Sequence, residues 1–221
     1  RSLAIFERAF GRDHPDVALS LNNLAQLLSS KGQYAAADPL YRRALAIKEK
    51  TFGPDHPDVA TSLNNLAELL SKQGQYAAAE PLYRRSLSII EKVLGPDHPD
   101  FATSLNNLAE LLKNKGQYGA AEHLLRRSLS ITERNLGPDH PDVAISLNNL
   151  AELLSSQGQY AVAEPLYRRS LAIFEKSLGP NHPDVALSLN NLAVLLRSQG
   201  QYAEAEHHLR RSLFITEKNL G

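Results

Sequence analysis

The sequence predicts an all-α array of tandem helix pairs, on three observations. The hexapeptide Ser-Leu-Asn-Asn-Leu-Ala begins at Ser20, Ser62, Ser104, Ser146 and Ser188, so it returns every 42 residues. Within each period, apolar residues recur at helical spacing in two stretches, and Gly or Pro punctuates both. A fixed period of this size is one supersecondary unit copied in tandem, each copy burying its apolar face against the next.

The second copy justifies each element. From Pro57 to Gln73, Leu63, Leu66, Ala67 and Leu70 fall on one stripe, which predicts a first helix, helix A. Its start is signalled by His56-Pro57-Asp58, with Pro near the first helical position and an acid in the first turn, and its end by Gly74. Helix B follows from about Tyr76 to Leu94, with Tyr76, Ala79, Tyr83, Leu87, Ile90 and Leu94 on its buried stripe. Gly95-Pro96-Asp97-His98-Pro99 then turns the chain into the next helix A. Small Ala67 and Ala79 suit a close approach of the two helices. The spacing predicts a single array over 1–221: residues 1–10 as a trailing helix B, then five repeats at 11–52, 53–94, 95–136, 137–178 and 179–220. The lack of Met at position 1, and the match of Arg1-Ser2-Leu3 to Arg85-Ser86-Leu87, suggest a fragment of a longer array.

Charge excludes several functions. Lys and Arg number 24 and Asp and Glu 24, so there is no basic surplus for nucleic acid or an anionic membrane surface. No apolar run approaches the roughly 20 residues that span a bilayer, and no charged-then-apolar leader opens the chain. Cys is absent, and no Asn-x-Ser/Thr acceptor occurs, which suits a soluble, cytoplasmic protein. Glu80/Arg84 recurs as Asp38/Arg42, Glu122/Arg126, Glu164/Arg168 and Glu206/Arg210, and the Arg-Arg dipeptides read mainly as a solvated helix face.

With Leu63, Leu66, Ala67 and Leu70 inward, Thr61, Asn64, Asn65, Glu68 and Lys72 fall on the open side of helix A. Five repeats thus present two ladders of carboxamides: Asn22, Asn64, Asn106, Asn148 and Asn190, and Asn23, Asn65, Asn107, Asn149 and Asn191. A carboxamide offers two donors and an acceptor, enough to pair with an extended peptide whatever its side chains. Asn is a mediocre helix former, so ten of them mid-helix carry a cost of about half a kcal/mol each that something must offset. Two accounts stand open. Either one Asn of each pair bridges adjoining repeats and the other meets a ligand, or both meet it. Gln26, Glu68, Glu110 and Glu152, followed by Val194, add an acidic stripe suited to a basic or polar peptide.

Other constellations carry less. The five linker histidines, His14, His56, His98, His140 and His182, recur once per helix pair and cannot converge on one metal, so they read as helix-start devices. No nucleophile with an orienting base, Gly-rich phosphate loop or carboxylate pair stands apart from the repeat, which argues against an enzyme and a bound cofactor. Copies two and four share Pro-Leu-Tyr-Arg-Arg, whereas copies three and five carry His123 or His207 there, a possible 84-residue unit.

Gly74 at the turn, Tyr76, Ala79, Tyr83 and Ser86-Leu87 resemble the tetratricopeptide repeat. The 42-residue period and Gly-Pro-Asp-His-Pro linker are similar, more narrowly, to the kinesin light chain type. The resemblance covers the whole chain. It implies a right-handed α-solenoid whose helices A line a concave, usually peptide-binding groove, with Asn23, Asn65, Asn107, Asn149 and Asn191 on the ligand backbone. The acidic stripe argues against a carboxylate clamp and acidic cargo peptides, and no heptad segment links the chain to a motor. The expected function is a non-enzymatic scaffold that binds an extended protein segment in the Asn-lined groove. Two alternatives are a sensor or regulatory array of a larger signalling protein, and a structural array stacking head to tail through Leu3 and Phe6 at one end and Leu213, Ile215 and Leu220 at the other.

Overall fold

The structure, a computed structural model, describes residues 11–220. The expected trailing helix at 1–10, with Leu3 and Phe6, lies outside the described residues, as does the side chain of Leu220. Ten helices and no strand occur among the described residues: α1 (Pro15–Ser30), α2 (Tyr34–Phe52), α3 (Pro57–Lys72), α4 (Tyr76–Leu94), α5 (Pro99–Asn114), α6 (Tyr118–Leu136), α7 (Pro141–Ser156), α8 (Tyr160–Leu178), α9 (Pro183–Ser198) and α10 (Tyr202–Leu220). Helices A are α1, α3, α5, α7 and α9, and helices B follow each. The chain gathers into two compact units, one up to Lys115 and one from Gly116.

Each helix A starts on a histidine. His56 Nδ1 accepts the Asp58 amide N–H at 3.1 Å, and His14, His98, His140 and His182 do the same at 3.2 Å. Because Pro occupies the first helical position and has no N–H, the amide two residues on is the first orphan donor, and the imidazole satisfies it. At the other end of α3, the Gln75 amide bonds to the Leu70 carbonyl and the Gly74 amide to the Ser71 carbonyl, both at 2.9 Å. This pair of bonds requires left-handed backbone at Gly74, whose φ is +74°.

In the first unit α1 packs on α2, α2 on α3, α3 on α4 and α5, and α4 on α5. In the second, α6 packs on α7, α7 on α8 and α9, α8 on α9, and α9 on α10. A helix A enclosed on several sides needs more than one stripe. In α3, Val59, Ala60, Ser62 and Leu69 are buried along with Leu63, Leu66, Ala67 and Leu70. Ala67 and Ala79 are fully buried, which explains why both are small. Where α3 and α4 meet, the Ser86 hydroxyl donates to the Ala60 carbonyl at 2.8 Å, and Ser170 bonds to Ala144 in the same way. The first repeat has Ala44 at this place.

Arginine in these helices does more than face solvent. The first of each pair makes the expected bond one turn back, as in Arg84 to Glu80 at 2.9 Å. The second reaches the preceding repeat and the linker after it: Arg85 bonds to Glu49 of the preceding repeat at 2.6 Å and to the linker carbonyl of Pro54 at 3.1 Å, and Arg169 to Glu133 at 2.7 Å and the linker carbonyl of Pro138 at 3.2 Å. The reading of the Arg-Arg dipeptides as a solvated face is therefore corrected for the second arginine. Its planar, multi-donor head can hold a carboxylate and a linker carbonyl together.

Candidate functional site

The open side of helix A carries the expected residues. In α3, Thr61, Glu68 and Lys72 are exposed, and Asn64 and Asn65 are half-buried. Asn106, Asn107, Asn148, Asn149 and Asn191 are also half-buried, and Asn22 with them, whereas Asn23 and Asn190 are exposed. Gln26, Glu110 and Glu152 lie exposed on the same faces of α1, α5 and α7.

The amides are partly engaged with one another. Asn65 donates from Nδ2 to the Asn22 carbonyl oxygen at 2.8 Å, and Asn107 donates to Asn64 at the same distance. The second Asn of one repeat thus donates to the first Asn of the repeat before it, so both members of the pair serve the stack. Asn148 donates instead to the Ser188 hydroxyl at 3.3 Å. The carbonyl oxygens of Asn106 and Asn148 are buried without a hydrogen-bond partner. An orphaned buried acceptor costs about 1–3 kcal/mol, so the ladder is less favourable there.

The acidic stripe is less negative than its sequence suggests. Lys72 pairs with Glu68 at 2.6 Å, and Lys113 with Glu110 at 2.8 Å. Sequence reasoning placed Lys72 on this face without pairing it, although the four-residue separation was the available signal. Behind the stripe, Tyr83 and Tyr167 are buried, and their phenols are pushed well above the ordinary value, first by burial and then by Glu68 and Glu110 for Tyr83 and by Glu152 for Tyr167. Such phenols stay neutral and act as packing.

Among the described residues, no group of three or more His, Asp or Glu converges in a way that could hold a metal ion, and no helix is long and apolar enough to cross a membrane. What remains is a polar, near-neutral strip of amides, carboxylates and hydroxyls on rigid helices, able to offer hydrogen bonds to another chain.

A cleft of about 200 Å³ opens on this strip in the first unit. Ala60, Thr61 and Asn64 of α3, Ser86 and Ile90 of α4, and Asp100, Thr103, Ser104 and Asn107 of α5 line it.

Comparison with known proteins agrees with this architecture. The family model for the tetratricopeptide repeat matches residues 1–50, 32–92, 58–134, 100–176 and 142–218. A crystal structure of nearly identical TPR-like repeats of a putative kinesin light chain from Podosopora anserina is 30% identical, covers 93% of this chain and 98% of its own, and superposes with a TM-score of 0.78. BtubC (BKLC) from P. vanneervenii is 25% identical over 99% of this chain and 86% of its own, with a TM-score of 0.82. PilF of Pseudomonas Aeruginosa, at 21% identity over 90% of this chain and 77% of its own and a TM-score of 0.64, shares the fold. No curated protein sequence matches the chain. Among the described residues, ten helices in 42-residue pairs, the His-Pro starts and the Gly turns, together with these matches, lead to one conclusion: the chain belongs to the tetratricopeptide repeat family, with repeats like those of kinesin light chains.

Proposed function

We propose that the chain is a non-enzymatic scaffold that binds an extended, polar or basic protein segment along the helix A faces, with Asn23, Asn65, Asn107, Asn149 and Asn191 as backbone contacts. Tetratricopeptide repeats generally mediate protein–protein interaction or serve as scaffolds. The supporting observation is the half-buried amide row. Asn65 and Asn107 each commit one N–H to the neighbouring repeat, which orients the side chain and leaves a second N–H and a carbonyl oxygen for a ligand. The bridging bonds also offset the propensity cost of mid-helix Asn. The whole of 1–221 then acts as one array in a cytoplasmic setting.

The test is binding of an arrayed set of extended peptides to the wild type and to Asn65→Ala, Asn107→Ala and Asn149→Ala. A loss of about fivefold or more per substitution is expected, because each removes a peptide-directed hydrogen bond of about 1 kcal/mol. Binding unchanged in all three, with melting curves confirming folded arrays, overturns the reading.

A second reading rests on exposed apolar side chains. Leu24 and Leu27 of α1 are 39% and 52% exposed, whereas Leu66 and Leu69, their equivalents in α3, are at most 2% exposed. Leu213 of α10 is 58% exposed, against 8% for Leu171, whereas Ile215, expected beside it on the stacking face, is buried and belongs to the core. In the chain as it stands, these faces meet head to tail between copies. Sedimentation should show association that rises with concentration, and a monomer at high concentration overturns it.

A further inference from the structure

One helix B position varies in a way that the repeat does not explain. Four residues after the Ser86 site, successive copies carry Lys48, Ile90, Thr132, Phe174 and Thr216. The position faces the junction with the next helix A, since Ile90 lines the cleft between α3 and α5.

At the first junction the chain fills this place itself. Lys48 is half-buried, and its Nζ donates to the Asp58 carbonyl in the first turn of α3 at 3.3 Å. Burial pushes its pKa down, while the Asp58 charge works in the opposite direction. A neighbouring hydroxyl registers the arrangement. Ser104 and Ser146 donate to the carbonyls of Asp100 and Asp142 at 2.9 and 3.0 Å, but Ser62 Oγ is buried without a partner where Lys48 has taken the Asp58 carbonyl.

At the second junction Ile90 replaces the lysine and is too short to span the place, so the cleft of about 200 Å³ remains. Its apolar surface is Ala60 and Ile90, both buried. Polar residues complete its lining: Thr61 and Thr103, whose hydroxyls donate to the Pro57 and Pro99 carbonyls, Asn64 bonded to Asn107, and Asp100, whose side chain is 64% exposed. That combination suits a long side chain with an apolar stem and a cationic head, which buries the stem and keeps the head beside a carboxylate and water. At the corresponding place in the second unit, Phe174 is buried.

We propose that the cleft between α3 and α5 receives a lysine or arginine side chain of the bound segment, its stem entering over Ala60 and Ile90 beside the place that Lys48 fills one repeat earlier, and its head meeting the Asp100 carboxylate rather than the Asp100 carbonyl, which Ser104 already engages. The proposal rests on the peptide reading above and adds to it a side-chain preference at one repeat junction. The paired Glu68 and Glu110 cannot supply that preference alone, because Lys72 and Lys113 neutralise them.

The probe is a set of labelled extended octapeptides of Gly, Ser and Thr with one central Lys, Arg, Ala or Glu, titrated by fluorescence anisotropy. The wild type should bind the Lys and Arg peptides about tenfold more tightly than the Ala peptide, with the Glu peptide weakest. Ile90→Lys, which copies the first junction, and the surface change Asp100→Asn should each bring the Lys and Ala peptides to equal affinity while Ala-peptide binding persists. Peptides that bind without a basic preference, or a preference that survives Asp100→Asn, overturn the cleft assignment and leave the peptide reading intact. No binding of any peptide overturns both.

Discussion

Neighbouring repeats are joined by two sets of polar bonds that differ in kind. On the helix A face they are uncharged: Asn65 to Asn22, Asn107 to Asn64, and Asn148 to Ser188. Around helix B they are ionic: Arg85 to Glu49 in the first unit, where Lys115 at the end of α5 also reaches Glu80 of α4, and Arg169 to Glu133, Arg168 to Glu204 and Arg211 to Glu175 in the second. Salt screens the second set and leaves the first nearly untouched. The difference shows how neighbouring repeats can be joined across the helix A face without fixing a charge there. The ionic pairing is placed around the other helix of each repeat.

The largest expected effect tests whether either set matters beside the apolar layer between them. Leu105 is fully buried, and Leu105→Ala should cost about 2–5 kcal/mol, read as a lower midpoint in urea followed by circular dichroism. A loss below about 1 kcal/mol would make the polar bonds, rather than packing, the main support. Next comes Asn107→Ala, which removes the donor to Asn64 and should cost about 0.5–1.5 kcal/mol, equally at low and high salt. A strong salt dependence there would dissolve the contrast.

Arg85→Ala should cost less, about 0.2–1 kcal/mol at low salt, and the difference should fade near 1 M salt. Acid probes the ionic set at Glu80, whose carboxyl is held below its ordinary value of 4.5, first by its bond from Lys115 and then by that from Arg84. A depressed folded pKa adds stability above 4.5 that is lost as pH falls through the folded value. Glu80→Gln should therefore flatten the decline in melting temperature below pH 4.5, and an unaltered acid slope would remove Glu80 from the account.

Much of the fold was legible in the sequence, because spacing and punctuation act locally. The expected helix from Pro57 to Gln73 ends at Lys72, and that from Tyr76 ends at Leu94 as expected. Leu69 was missed, since a single stripe describes a helix packed on one side and α3 is packed on several. The second arginine was also opaque. Glu49 lies 36 residues from Arg85, and only the stacking of one repeat on the next brings them together. For the site, the Asn row was legible as a row of one residue type on one face, but its internal bonds join residues 43 apart. The cleft was hidden for another reason: Ile90 looks like an ordinary core residue until Lys48 is set beside it in register.

The offset of 43 residues in the amide bonds, one more than the period, bears on how such a chain can change length. Excision of residues 53–94 would bring Asn107 against Asn22, Lys115 against Asp38, and Lys48 against Asp100. Each new neighbour is chemically equivalent to the one lost, Lys48 again meeting the main-chain carbonyl of an aspartate in the first turn of a helix A. A cut that is not a whole number of repeats would bring unlike faces together. Recombination between repeats can therefore shorten or lengthen the chain in whole units without creating an unmatched junction, and a change of one unit would remove or duplicate the Ile90 cleft as a single event.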